Sequence, residues 1–218
     1  ADGLVTIATS DHGEHFGEHG LMEHNFSVRE PLLRVPLVVA GLPGVAPARI
    51  DAPVQLLDVV PTLLALLGAA PDAALPGRPL PRTEADAGAP PWIEAAFREP
   101  ERIDVTDGTP EWVAMARSEA RRIRAACTAG ERVFGDMTAL LRFPHKLVWF
   151  EKHPPQLFDV GRDPLEERDI AAAHEALVAE MLLALRQSFV AAAAPPPAVG
   201  HDLAPGVAEQ LRALGYIE

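Results

Sequence analysis

Short apolar segments alternate with polar, glycine-rich stretches in the first third of the chain. Residues 4–9 are apolar and β-branched and end at a polar cluster, which is typical of a buried strand. Residues 33–40 predict a second buried strand. Asp58 is a favourable N-cap for a helix that ends at Gly68. Strand, polar loop, strand and helix together predict the edge of an α/β sheet.

The last third has a different pattern. Residues 140–150 and 156–160 predict two strands that run antiparallel through the turn at His153-Pro154-Pro155. Residues 171–194 have apolar side chains at helical spacing, which predicts a long amphipathic helix. A short helix ending at Gly215 follows. These elements predict a small antiparallel sheet with a packed C-terminal helix.

The middle of the chain separates these two regions. It begins with a stretch rich in Pro, Ala and Gly, and Thr109-Pro110 then predicts the start of a helix. We therefore expect three parts. Residues 1–80 form the α/β portion, residues 81–136 a linker and helical insertion, and residues 137–218 a C-terminal subdomain of a small sheet and helices.

Composition excludes several classes of protein. The chain has 218 residues, of which 48% are hydrophobic, as in ordinary globular proteins. No apolar run approaches the roughly 18 residues of a membrane span. A net charge of −12 disfavours binding to nucleic acid. The single cysteine, Cys127, excludes an internal disulfide and a multi-cysteine zinc site.

Candidate chemistry is concentrated directly after the first predicted strand. Eight acidic or histidine side chains fall within 14 positions: Asp11, His12, Glu14, His15, Glu18, His19, Glu23 and His24. Open α/β sheets place their sites at the C-terminal ends of strands. Asp11 and His12 can offer a carboxylate oxygen and an imidazole nitrogen to one metal ion, whereas a solvated surface turn is the alternative interpretation.

A second motif in the same segment is typical of a different enzyme. Residues 15–19 match the H-x-x-E-H pattern of a class of zinc peptidases. That mechanism requires both histidines on one face of a helix. Three glycines (Gly13, Gly17 and Gly20) disfavour a helix here, since each costs roughly 1 kcal/mol in a helix interior.

Several blocks along the chain resemble, in order and spacing, the second half of a sulfatase, a family of the alkaline-phosphatase superfamily. The blocks of the first third are residues 9–14 (TSDHGE), 17–20 (GEHG), 34–39 (RVPLVV), 58–64 (DVVPTLL) and 77–80 (GRPL). The later blocks are residues 145–148 (HKLV), 156–160 (QLFDV) and 163–167 (DPLEE). The resemblance implies that the first part belongs to an alkaline-phosphatase-like sheet.

The resemblance also implies roles for individual residues. Asp11 and His12 would be two ligands of a divalent metal ion. Calcium, common in the family, is the first expectation, and manganese or zinc are the alternatives because an imidazole ligand favours transition metals.

The sequence departs from the family pattern at two points. Many sulfatases have a lysine that contacts the sulfate where this chain has Glu23-His24-Asn25. His24 is therefore a candidate anion contact or acid for the leaving oxygen, with a solvated loop histidine as the alternative. The formylglycine motif, C-x-P-x-R or S-x-P-x-R, is absent, and Cys127 is followed by Thr-Ala-Gly-Glu.

These observations lead to one expected function and two alternatives. We expect metal-dependent hydrolysis of the sulfate ester of a small molecule or glycan by a sulfatase. The chain would be a fragment that lacks the nucleophile, is inactive alone and is completed by the missing N-terminal half of the domain. A phosphonate or phosphate ester hydrolase, or a phosphoryl-type transferase, of the same superfamily is the first alternative. A non-catalytic metal-binding module is the second.

Overall fold

A computed structural model of the chain describes residues 4–24, 26–70, 73, 75–81, 92–97, 118 and 135–192. The chain divides into two compact units at Leu182 and Leu183. Of the second unit, the description covers residues 183–192, which are the end of one helix. The predicted helices at Thr109-Pro110 and before Gly215 lie outside the described residues.

The first strand runs antiparallel to its partner. Strand β1 (Thr6–Thr9) pairs with β4 (Leu37–Ala40), with Thr6 opposite Ala40. Both strands are largely exposed in this structure, so the prediction that they are buried is wrong for the chain by itself. The strand predicted over residues 33–40 begins only at Leu37, directly after Pro36, and a helical turn, α1 (Glu30–Leu33), lies before it.

Helix α2 (Val59–Leu66) follows the prediction closely. Asp58 is its N-cap residue, and the chain leaves the helix through Gly68, whose φ of 68° is the left-handed conformation that glycine adopts readily. The Asp58 carboxylate does not cap the helix. It instead accepts hydrogen bonds from the backbone N–H groups of Gln55 (3.1 Å) and Arg78 (2.9 Å).

A four-stranded antiparallel sheet makes up the later part. Its strands lie in chain order: β5 (Ile93–Phe97), β6 (Met137–Arg142), β7 (His145–Phe150) and β8 (Gln156–Asp159). The antiparallel pairing of β7 with β8 confirms the prediction. The single strand predicted over residues 140–150 is wrong, because a turn at Phe143-Pro144 divides it into β6 and β7. Strand β5 was not predicted.

Helix α3 (Glu175–Ala192) confirms the long helix expected near the C-terminus. Its first part packs on the sheet unit. Met181 is buried, and the guanidinium of Arg142 donates to the Glu180 carboxylate at 2.7 Å. Among the described residues, no helix has the length and apolar character needed to cross a membrane.

The core joins the polar early segment to the later sheet. Three early residues, Leu21, Phe26 and Val28, are buried in one cluster with side chains of the sheet. The cluster's sheet residues are Met137, Ala139, Val148, Phe150, Phe158 and Val160. Asp11 and His12 lie before this anchored stretch and His24 lies within it, so the sheet fixes one end of the site loop.

We predict that Asp58→Ala lowers the free energy of unfolding by about 2–4 kcal/mol. Asp58 is 1% exposed, and its loss leaves two backbone N–H groups without their acceptor. The measurement is urea denaturation of the complete gene product. Asp51→Ala is the matched control, since Asp51 lies in an exposed ion pair with Arg49 and its removal is expected to cost at most about 1 kcal/mol. Equal losses for the two variants would contradict the prediction.

Candidate functional site

A short hairpin carries most of the candidate site. Strands β2 (His15–Phe16) and β3 (Met22–Glu23) pair with His15 opposite Glu23 and Phe16 opposite Met22. The turn between them contains Gly17, which has a φ of 120°. Because the register continues outward, the residues just outside the two strands, Glu14 and His24, face each other.

Three side chains meet at the open end of this hairpin. His24 Nδ1 lies 3.3 Å from one Glu14 carboxylate oxygen and 3.4 Å from the other. The His12 and His24 rings lie with their centroids 4.5 Å apart at a tilt of 32°. One donor atom from each of His12, Glu14 and His24 lies within 4.8 Å of the others. The two imidazoles and the carboxylate therefore form a donor cluster that could hold a metal ion.

The hydrogen bonds of His12 fix its tautomer. His12 Nδ1 lies 2.8 Å from the Gly13 carbonyl oxygen, and a carbonyl only accepts hydrogen bonds, so Nδ1 carries a proton. In the neutral ring, Nε2 then presents its lone pair, which is the state that binds a metal ion. The adjacent Asp11 carboxylate lies 3.7 Å from this Nε2.

The Asp11 side chain is strongly exposed but anchored by its own backbone. The His12 N–H donates to the Asp11 carboxylate at 3.0 Å, and Ser10 Oγ donates to the His12 carbonyl at 2.7 Å. The N–H of His12 first, and that of Asp11 itself second, hold the pKa of the Asp11 carboxyl below its usual value. Asp11 is therefore an anion over a wide pH range, as a metal ligand must be.

His15 and His19 have other surroundings. His15 is fully buried, and among the described residues neither of its ring nitrogens has a hydrogen-bond partner. Burial lowers the pKa of its imidazole, so the ring is neutral. His19 Nε2 donates to the Leu165 carbonyl at 2.8 Å. Because His15 lies in a strand and His19 in a separate 3-10 turn, the two do not share a helix face, and the zinc-peptidase interpretation is wrong.

Gly13 lies where the site loop meets the α1 backbone. Its N–H donates to the Leu32 carbonyl at 2.8 Å. A Cβ atom at this position would collide with the Pro31 carbonyl oxygen and lie 3.1 Å from the carbonyl carbon. Only glycine allows this close approach, and the contact fixes the backbone between His12 and Glu14.

The structure thus brings His12 and His24 together, as expected for parts of one site, and keeps Asp11 beside His12. It adds Glu14, which the sequence singled out only as one of eight candidate side chains in this segment. The signal for Glu14 is its register with His24 across the hairpin, but strands of two residues have no pattern that predicts such pairing.

The donor set favours some metal ions over others. Calcium binds six to eight oxygen ligands, whereas imidazole nitrogen suits zinc better. The cluster of His12, Glu14 and His24 has two imidazoles and one carboxylate. These side chains could therefore hold a divalent metal ion, with His12 Nε2 and carboxylate oxygens as the available donors.

Known structures share this fold. The chain superimposes on the crystal structure of a phosphonate monoester hydrolase from Agrobacterium radiobacter with a TM-score of 0.57 and 29% identity, over 84% of this chain and 35% of that one. A 2-O GAG sulfatase gives a TM-score of 0.63 at 18% identity, over 85% of this chain and 36% of that one. The fold is thus that of alkaline-phosphatase-like hydrolases.

The sequence comparisons show similarity to sulfatases. Residues 3–69, which include the whole site hairpin, match the family model for sulfatases. The choline-sulfatase of Rhizobium meliloti is 30% identical over 171 residues, which are 78% of this chain and 27% of that protein. The resemblance to the sulfatase family is confirmed. The chain spans about a quarter to a third of the length of these relatives.

We predict that Gly13→Ala displaces the site loop and destabilises the complete gene product by more than Gly44→Ala does. The added methyl group meets a backbone carbonyl that cannot rotate away. Gly44, in an exposed turn, has a φ of 70° and open space around it, so its variant should cost only about 1–2 kcal/mol of backbone strain. Urea denaturation of both variants is the measurement. A smaller loss of unfolding free energy for Gly13→Ala than for Gly44→Ala would show that the close approach at Gly13 does not constrain the backbone.

Proposed function

We propose that this chain forms the metal-binding side of the active site of a sulfatase-superfamily hydrolase. The enzyme would cleave sulfate esters of small molecules or glycans. The observation that carries the proposal is the placement of Asp11 beside His12, with the His24 ring 4.5 Å from the His12 ring, within a segment that matches the sulfatase family. The choline-sulfatase and 2-O GAG sulfatase relatives support sulfate esters as the substrate class.

Asp11 and His12 are the residues that would hold the divalent metal ion. His12 is suited to this by the proton on Nδ1, which leaves Nε2 for the metal, and Asp11 is suited by its lowered pKa. When bound, such an ion polarises the transferring sulfuryl oxygens and stabilises developing negative charge. Because one of these two ligands is an imidazole, the donor chemistry favours zinc over the calcium first expected.

His24 would contact the substrate anion or donate a proton to the leaving oxygen. Its Nδ1 lies at hydrogen-bond distance from the Glu14 carboxylate, which orients the ring. The second ring nitrogen, Nε2, is then available toward the substrate. This carboxylate–imidazole pair takes the place of the lysine that many sulfatases have at this point.

The remaining residues of the site, including the nucleophile, would come from another part of the protein. No C-x-P-x-R or S-x-P-x-R motif is present in the 218 residues, so the formylglycine nucleophile would come from the remaining half of the domain. Several large apolar side chains of the early part are exposed in this chain: Leu4, Val38, Leu57, Val60, Leu63 and Leu67. We expect that half of the domain to cover some of them.

We predict that His24→Gln lowers kcat/KM of the complete gene product at least a hundredfold while the Kd for Zn²⁺ changes less than threefold. The reason is that His24 acts on the substrate and Asp11 and His12 hold the metal. Titration calorimetry of chelator-treated protein gives the Kd. His12→Gln should weaken Zn²⁺ binding at least tenfold, and the exposed His174→Gln should change neither quantity. A tenfold weaker Kd for His24→Gln would instead make His24 a ligand, in the cluster with His12 and Glu14.

Activity on two esters tests the reaction class. The complete gene product, reconstituted with Mn²⁺ or Zn²⁺, is expected to hydrolyse 4-nitrophenyl sulfate faster than 4-nitrophenyl phenylphosphonate, which has the same leaving group. Chelation should abolish turnover, and residues 1–218 alone should show none. Metal binding without turnover of either ester by the complete gene product would favour a non-catalytic metal-binding module.

Phosphonate monoester hydrolysis is the second candidate function. The observation that favours it is the 29% identity to the hydrolase from Agrobacterium radiobacter over 84% of this chain. Faster turnover of the phosphonate ester in the same assay would select this function.

A further inference from the structure

Far along the chain, a buried carboxylate touches the segment that returns from the site hairpin. Glu166 is 2% exposed and has a φ of 56°, a conformation that residues other than glycine seldom adopt. Its Oε2 accepts a hydrogen bond from the Glu30 N–H at 2.8 Å. Its Oε1 lies 3.1 Å from the ammonium of Lys146, which is 1% exposed.

The same lysine also contacts the side chain of Glu30. Lys146 Nζ donates to the Glu30 carboxylate at 2.8 Å, so Glu30 is held through both its backbone and its side chain. The neighbouring Arg29 donates to the Gln156 side chain at 2.6 Å and lies 4.7 Å over the Phe158 ring. The beginning of α1 is therefore fixed to strands β7 and β8.

The other end of α1 holds the site loop. The Leu32 carbonyl accepts from the Gly13 N–H, and Gly13 lies between His12 and Glu14. One helical turn thus separates the Glu166 carboxylate from the backbone of the donor cluster. Beside Glu166, the Leu165 carbonyl accepts from His19 at the hairpin turn, which gives the hairpin a second attachment.

The loop that contains Glu166 is itself held in place. The Asp163 carboxylate accepts from the backbone N–H groups of Glu167 (3.1 Å) and Arg168 (2.8 Å). These bonds fix the turn that places Glu166 in its left-handed conformation. A strained backbone persists where the surrounding structure requires it, and such strain commonly marks a site of function.

We propose that Glu166 is a positioning residue for the metal site, acting through α1 on the His12–Glu14 backbone rather than by touching metal or substrate. This inference rests on the proposed function for its metal, but the path from Glu166 to Gly13 stands independently of it. Residues that orient the ligands of a metal site typically change metal affinity by about 10–100-fold when they are substituted.

The test compares Glu166→Gln with Glu167→Gln in the complete gene product. Glu167 is exposed, and its variant makes the same change in charge one residue away. For Glu166→Gln we expect Zn²⁺ to bind about tenfold more weakly at a temperature where the protein is folded. Amide hydrogen exchange over residues 10–16, measured by mass spectrometry without metal, should be about tenfold faster. Glu167→Gln should change neither, and exchange in β7 should stay slow in both.

Each outcome decides the proposal. An unchanged Zn²⁺ affinity together with an unchanged amide exchange rate in folded Glu166→Gln would overturn it. An exchange rate that rises equally in β6, β7 and β8 would also overturn it, since that pattern reports a general loss of stability. If Glu166→Gln does not fold, Glu166→Asp keeps the negative charge near Lys146 but shortens the side chain that accepts from the Glu30 N–H. About threefold faster exchange over residues 10–16 in this variant supports the proposal, and an unchanged rate overturns it. Failure of the unmodified protein to bind Zn²⁺ would count against the proposed function. The exchange rates would still test the structural link from Glu166 through α1 to Gly13.

Discussion

The structure depends on a buried network of charges between the site segment and the later sheet. Lys146 and Arg29 are balanced by Glu30 and Glu166, and all four are largely shielded from water. Removing one partner from such a group leaves an uncompensated buried charge, which typically costs about 3–5 kcal/mol. An apolar contact could provide similar stability. Because each of these charges requires a specific partner, the network also fixes the position of the segment on the sheet. A loop that carries a site requires such a fixed position.

The exposed and buried parts of the early segment have separate tasks. Asp11, His12 and His24 are exposed and polar, whereas Leu21, Phe26 and Val28 a few residues away lie in the core. A site must present its donors to a ligand, so it cannot gain stability by burying them. The anchoring must therefore come from neighbours, and here it comes from the core cluster on one side and the α1 contact with Gly13 on the other. This arrangement keeps donors in place before a ligand binds.

The sequence predicted the parts of the fold whose signals are local. Helix α2 has an N-cap and a terminal glycine, and α3 has a long apolar stripe, so both were placed within a few residues. Strand β5 was missed because its five residues adjoin a stretch rich in proline and alanine, and only pairing with β6 shows it to be a strand. The turn between β6 and β7 was missed because the residues on both sides of Phe143-Pro144 favour strands and were assigned to a single strand.

The site was predictable to the extent that its residues are adjacent in sequence. Asp11 and His12 follow a strand, and that placement with the family motif was enough to single them out. Pairing of Glu14 with His24 depends on hairpin register, and the link from Glu166 to Glu30 spans more than a hundred residues. Because the carboxylate that accepts from the Glu30 N–H lies 136 positions along the chain, local pattern alone cannot identify it. The candidate donors lie close together in the sequence, whereas contacts that hold their segment come from residues far along the chain.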